Sequence, residues 1–269
     1  MRYLLIVTML ILPAVASAQE YRLVWADEFD GVGAPDSSKW TYERGFVRNE
    51  EHQWYQPENA FVEDGMLIIE ARRETKPNPM YQAGSDNWRR SREQIEYTSA
   101  SLTTRGLHSW QHGRFEMRAR IDTRPGMWPA FWTLGTSGGW PANGEIDIME
   151  YYRGMLLANV AWAKEDLRRA FWDDLKKPIT DYPEDWSSQF HVWRMDWTPE
   201  RIELYLDDEL LNSADLSGTV NVDGRNPFHQ PHYIIVNLAI GGTNGGDPTA
   251  TEFPARYEVD YVRVYRGEF

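Results

Sequence analysis

Gly144-Glu145-Ile146-Asp147-Ile148-Met149-Glu150-Tyr151-Tyr152 is the stretch whose reading decides the fold. Ile146 and Ile148 alternate with Glu145 and Asp147, so a strand here has one apolar face and one acidic face. Strict alternation would put Met149, not Glu150, on the acidic face. A single β-bulge near Ile148-Met149 restores the phase and turns Glu150 to the side of Glu145 and Asp147. Carboxylates crowded on one face repel one another, which is costly in a structural strand and useful in a catalyst. The plainer alternative is an amphipathic strand with a solvated acidic face.

Upstream lies Trp128-Pro129-Ala130-Phe131-Trp132, downstream Asn237-Leu238-Ala239-Ile240-Gly241-Gly242, and the chain closes on Val259-Asp260-Tyr261-Val262-Arg263-Val264-Tyr265. With the hexapeptide Glu145 to Glu150, these segments resemble the laminarinase-type branch of glycoside hydrolase family 16. The resemblance runs from Trp25-Ala26-Asp27-Glu28-Phe29 to the C-terminus.

Residues 1–18 read as a secretory signal: Arg2, an apolar run from Tyr3 to Leu12, then Ala16-Ser17-Ala18 as a small-x-small cleavage site. The run is well short of the roughly 20 residues a membrane span needs, so no membrane insertion is expected. A catalytic domain over 19–269 follows, secreted or periplasmic and expected to act as a monomer. The chain contains no cysteine, so such a protein relies on its core alone. A formal charge of −13 repels nucleic acid and anionic membrane surfaces, and disfavours heavily sulfated polymers. Thirteen tryptophans exceed what a core of this size needs and suit a groove whose aromatic faces stack on sugar rings; packing alone accounts for about half.

The hydrophobic pattern predicts strands over 21–25, 66–71, 100–104, 113–121, 131–134, 145–152, 155–163, 191–197, a hairpin of 202–206 with 209–212, then 233–240 and 256–265. Many short strands with almost no helical periodicity indicate an all-β sandwich, although pattern and length also permit a barrel or an incomplete propeller. The family resemblance implies a concanavalin A-like jelly-roll β-sandwich with a concave substrate groove. Residues 76–98 read as a long basic loop and 164–190 as a charged insertion with one short helix, both at the groove rim.

Retaining hydrolysis needs an ionised carboxylate and a protonated carboxyl roughly 5 to 5.5 Å apart. The resemblance implies that Glu145 is the nucleophile and Glu150 the acid/base; Asp147, between them on the same face, is expected to hydrogen-bond Glu145 and fix its rotamer. An effective spacing of about four residues separates the two glutamates by roughly 13 Å along the strand, so both must lean inward over Asp147. Crowded acids also keep a proton near neutral pH. For the groove, Trp128 and Trp132 are expected first, then Trp110 and Trp162; Asn49 and Asn237 are the expected polar contacts, Asn49 by resemblance. No catalytic cofactor is expected. Glu28, Asp260 and the carbonyl of Gly65 match the family's structural calcium site on the convex face.

One departure stands out. The resemblance predicts a His-rich strand after the catalytic one, where this chain has Leu156-Leu157-Ala158-Asn159-Val160-Ala161-Trp162, and Tyr151-Tyr152 follows Glu150. The implied activity is a secreted retaining endo-β-glycanase on a polysaccharide, best matched to laminarin-type β-1,3-glucan. An endo-β-galactosidase on poly-lactosamine-like O-glycans or algal galactan is the alternative, in which Arg89-Arg90-Arg92 would tolerate a sulfate. A non-catalytic sugar-binding jelly roll and a transglycosylase are further readings.

Overall fold

The computed structural model describes residues 20–269; the expected signal segment lies outside them. Two antiparallel sheets face each other. The inner sheet contains β1 (Thr41–Tyr42), β2 (Ser101–Thr103), β3 (Met127–Gly135), β4 (Glu145–Tyr152), β5 (Met155–Asp166), β6 (Arg169–Pro178) and β7 (His232–Ile240). Their spatial order is β6-β5-β4-β3-β7-β2-β1. The outer sheet is built around Gly113–Arg120, Ala255–Gly267 and Met66–Pro77, and one edge carries a short parallel pair, Gln53–Tyr55 with Gln94–Ser99.

Alternation puts every second residue between the sheets. Phe115, Met117 and Ala119 from the outer sheet meet Phe131, Ile146, Ile148, Ile234 and Val236 from the inner one, all buried in one continuous core. β7 is buried on both faces: Ile234, Val236 and Leu238 join that core, while Tyr233 and Ile235 join Ala130 and Trp132 in a separate apolar cluster. This second cluster floors the concave side.

The predicted bulge is present. Asp147 pairs with Trp132 and Met149 with Phe131 on β3; on β5, Asp147 pairs with Asn159 and Glu150 with Leu157. β4 thus spends one residue more than either neighbour, and Ile148 and Met149 both enter the core. That extra residue is what returns Glu150 to the face of Glu145 and Asp147.

Two loop expectations are corrected. The strand from Met66 continues to Pro77 and Gln94–Ser99 pairs back onto it, so the irregular part of 76–98 shrinks to a connection with one helical turn, Trp88–Ser91. The 164–190 insertion begins as a β-hairpin rather than a helix: β5 runs to Asp166 and β6 returns along it as a sheet edge. Its charged residues are those of an edge strand in water, which lacks the apolar alternation of an inner strand. Beyond it come only two single 3₁₀ turns, at 179–181 and 186–188.

Candidate active site

β4 floors a cleft of about 640 Å³ on the concave face. Gly144 delivers the chain into β4 at φ +76°, where a Cβ would stand 2.9 Å from Pro227, so the strand starts at Glu145 with no side chain in the way. Glu145, Asp147 and Glu150 all line the cleft. Each is held by a named donor. The indole N–H of Trp140 donates to Glu145 Oε2 at 2.5 Å, and that of Trp128 donates to Glu150 Oε1 at 2.7 Å. Asn159 Nδ2 donates weakly to Asp147 Oδ2 at 3.4 Å.

The environment sorts the three acids by proton affinity. Burial raises Asp147 well above the carboxylate range, and the charges of Glu145 and Glu150 raise it further. Burial pushes Glu150 up to about 7, against the pull of the Trp128 bond and with repulsion from Glu145. Burial also raises Glu145, but the Trp140 bond, the Arg48 charge and a hydrogen bond with Asp147 all favour its ionised form. The same contact with Glu145 raises Asp147, the direction in which Asp147 holds a proton and Glu145 accepts it. The strand therefore presents Glu145, whose ionised form is the one its donors and Arg48 favour, beside a Glu150 poised near neutral pH to give or take a proton, the pairing that acid/base-assisted displacement requires.

β3 supplies the neighbouring wall. Trp128, Ala130, Trp132 and Leu134 all face the cleft at every second position, so Pro129 leaves the phase intact. Trp132 Nε1 donates to Asn237 Oδ1 at 2.7 Å, and Asn237 Nδ2 donates to Tyr55 Oη at 3.1 Å, so Asn237 lines the cleft and fixes the Trp132 ring. The Arg48 guanidinium lies over that ring, 4.9 Å from its centroid. Burial would weaken the charge of Arg48, but Glu43 and Glu51 beside it hold it cationic. Asn49 lines the cleft in a left-handed conformation, φ 53°, and contacts Glu51.

Two expected groove tryptophans lie elsewhere. Trp110 packs against Trp25, His108 and Phe115, with ring centroids 5.1, 5.9 and 6.0 Å away, outside the cleft. Trp162 is buried between the sheets against Phe171, because the cleft side of β5 carries the alternate residues Asn159 and Ala161, which pair with Asp147 and Glu145. Of the three arginines in the 76–98 segment, Arg90 donates to the Gln82 side chain at the surface and the other two bind backbone. Arg89 donates to the carbonyls of Phe46 and Val47, and Arg92 to those of Glu50 and Glu51.

Glu28, Gly65 and Asp260 come together around the outer-sheet strand Ala255–Gly267, where Asp27 pairs with Val262 and Leu67 with Val259. The two carboxylates do not fit a cation as they are arranged: Arg263 grips both oxygens of Glu28, and Arg118 takes Asp260. At Glu28 a cation would have to displace the Arg263 guanidinium from both oxygens. Among the described residues no group of three or more His, Cys, Asp or Glu is arranged to hold a metal.

Tyr152, of the Tyr151-Tyr152 pair that departs from the family pattern, lines the cleft, while sequence reasoning missed Trp140, Asn159, Arg48, Trp172, Asp174 and Lys176, all of which line it too. Trp140 had a signal, an aromatic in the turn-forming Ser137-Gly138-Gly139-Trp140-Pro141 just before the catalytic strand. Asn159 had none in the local sequence: its place in the cleft follows from its pairing with Asp147 across β4 and β5.

The comparisons agree with this geometry. The family model for glycosyl hydrolases family 16 matches residues 49–263. A β-glucanase of Rhodothermus marinus is 40% identical over 271 residues, spanning 93% of this chain and 86% of that protein. The solved laminarinase structure from Rhodothermus marinus is 40% identical with a TM-score of 0.74, covering 93% of this chain and 99% of that one. Another solved structure, described as concerning endo-acting O-glycanases that prominent members of the human gut microbiota express to initiate mucin breakdown, is 35% identical with a TM-score of 0.84, covering 92% of this chain and 91% of that one. With a signature strand, a cleft and an acid set of this kind, and matches across nearly its whole length, the chain belongs to glycosyl hydrolase family 16.

Proposed function

We propose that the protein is a retaining endo-β-glycanase whose substrate is a laminarin-type β-1,3-glucan. The observation that carries the mechanism is the placement of Glu145, Asp147 and Glu150 on the cleft face of β4, with Trp140 donating to Glu145 and Trp128 to Glu150. Glu150, protonated, gives its proton to the glycosidic oxygen as that bond breaks, while ionised Glu145 attacks the anomeric carbon and forms a glycosyl-enzyme ester. Glu150, now ionised, takes a proton from water, which attacks the same carbon and releases Glu145. Asp147 keeps its proton throughout and donates to Glu145, restraining the nucleophile's rotamer. Trp128, Trp132, Asn49 and Asn237 bind the sugar. No step involves a metal, and calcium at Glu28, Gly65 and Asp260 has no support from the present pairing of their side chains with arginine.

The glucan assignment is supported by the 40% identity to a β-glucanase. A second reading, endo-β-galactosidase action on a poly-lactosamine-like glycan, is favoured by the higher TM-score of 0.84 to the O-glycanase-related structure and by the absence of histidine from β5. The signal-like residues 1–18 support action outside the cytoplasm, which N-terminal sequencing of the exported protein tests. Incubation with laminarin and, in parallel, with a β-galactan tests the substrate. Oligosaccharides from laminarin before any glucose are the expected result, and none from laminarin overturns the glucan reading.

A further inference from the structure

The β5–β6 hairpin extends the inner sheet one strand past β5, and its register lines up with the catalytic strand. Glu145 pairs with Ala161, which pairs with Trp172; Asp147 pairs with Asn159, which pairs with Asp174; Glu150 pairs with Leu157, which pairs with Lys176. The three β6 residues stand in rows with the three acids, two strand spacings away, about 9.6 Å at about 4.8 Å each.

Trp172 is the unusual member. It lines the cleft yet remains 39% exposed, and it has no aromatic or hydrogen-bonded partner among the described residues. The residue between it and Glu145 is alanine, which leaves the indole face uncovered. The preceding residue, Phe171, packs on Trp162 at 4.8 Å from the opposite side of the hairpin, with Lys164 over its ring. One aromatic anchors the hairpin while the next, by strand alternation, is presented to the cleft. A large aromatic face kept bare at the rim of a cleft that also holds three acids indicates a ligand surface.

The acid/base glutamate indicates which part of the substrate meets it. Trp128, on β3, occupies Oε1 of Glu150. The other oxygen is left to carry the transferable proton, and Lys176, in the same register row on β6, is the group on that side whose charge reaches this carboxyl, so the leaving-group oxygen is assigned to the β5–β6 side. The opposite wall, with Arg48, Asn49, Trp132 and Asn237, is the more densely polar one and suits the sugar that stays bound as the ester.

We propose that Trp172 is the stacking platform for the departing sugar, the first ring beyond the scissile bond on the leaving-group side, with the Asp174–Lys176 pair at its polar rim. The 3.2 Å separation of Lys176 Nζ from Asp174 Oδ2 keeps that pair oriented beside the ring. A stacked pyranose loses apolar area on one face only, enough to matter for turnover and little enough to let the product leave.

This inference rests on the endo-glycanase reading, and the test separates the two. Wild-type cleavage of laminarin or of a β-galactan is established first, and its absence on both would count against the function, not against Trp172. On whichever polymer is cleaved, Trp172→Ala, Trp172→Phe and wild type are compared on that polymer and on a 4-nitrophenyl glycoside of the matching disaccharide, which has no sugar on the leaving-group side. Trp172→Ala is expected to lose about tenfold more kcat/KM on the polymer than on the aryl glycoside, and Trp172→Phe to recover part of that difference. Equal losses on both substrates, or no loss on the polymer, overturn the proposal. Thermal unfolding of each variant identifies any loss that comes from the hairpin failing to form.

Discussion

The indole of Trp128 and the carboxylate of Glu150 are joined by a 2.7 Å hydrogen bond from adjacent strands of one sheet. The bond favours the ionised acid, yet burial still leaves Glu150 near 7. Trp128 thus trims the proton affinity of Glu150 downward while holding it in place. Replacing Trp128 with Phe removes the donor and keeps the ring. The pKa of Glu150 then rises, so the alkaline limb of the pH profile of kcat/KM is expected to move to higher pH, with a rate loss of about tenfold from poorer orientation. An alkaline limb that stays in place would show that another group sets it.

Stability carries the same signature with a definite sign. Glu150 titrates at about 7 in the folded protein, above the roughly 4.3 of an unfolded chain. The folded state therefore keeps a proton that the unfolded state has released, and the stability this provides is present below the unfolded value and lost as pH rises to 7. Glu150→Gln cannot titrate. Its stability should match wild type at pH 4.5 within experimental error and exceed it at pH 8 by on the order of 2 kcal/mol. Urea unfolding at both pH values measures the difference, and a variant less stable than wild type at pH 8 contradicts the burial argument.

Chemical rescue distinguishes the two glutamates. Glu145→Ala and Glu150→Ala should each lose several orders of magnitude on unactivated polymer. Added azide should give an α-glycosyl azide from Glu145→Ala, by direct attack opposite the leaving group, and a β-glycosyl azide from Glu150→Ala, by attack on the ester. NMR of the products reads the anomer, and the same anomer from both variants refutes the assignment.

The sequence made the catalytic strand legible because its phase error can be resolved only by an added residue, and β4 pairs that way on both sides. Trp128 and Trp132 were legible for the same reason, since period two places them on one face. Periodicity does not say which face, and that is where Trp162 went astray: the pairing of Ala161 with Glu145 decides it, and pairing is long-range. Arg48, Trp140 and Trp172 reach the cleft from loops and an edge strand whose positions depend on partners far along the chain. Arg89 and Arg92 read as a charged surface because nothing local reveals that their partners are the carbonyls of residues 46, 47, 50 and 51.

Those carbonyls lead to the last prediction. Asn49 and Glu50 occupy consecutive left-handed conformations, φ 53° and 51°, which disfavour residues bearing a Cβ. Arg92 spans the turn that follows, donating to the carbonyl of Glu50 at 2.7 Å and to that of Glu51 at 2.6 Å. Removing it with Arg92→Ala takes away the charged donors that hold the turn, and Asn49 and Glu51 at the cleft wall should lose their fixed positions. Glu145 and Glu150 are held instead by Trp140 and Trp128. The expected result is a KM for polymer raised several-fold with kcat nearly unchanged, partly restored by Arg92→Lys, which can still satisfy one carbonyl. A fall in kcat without a change in KM would place the effect of Arg92 on the acids themselves and refute the staple.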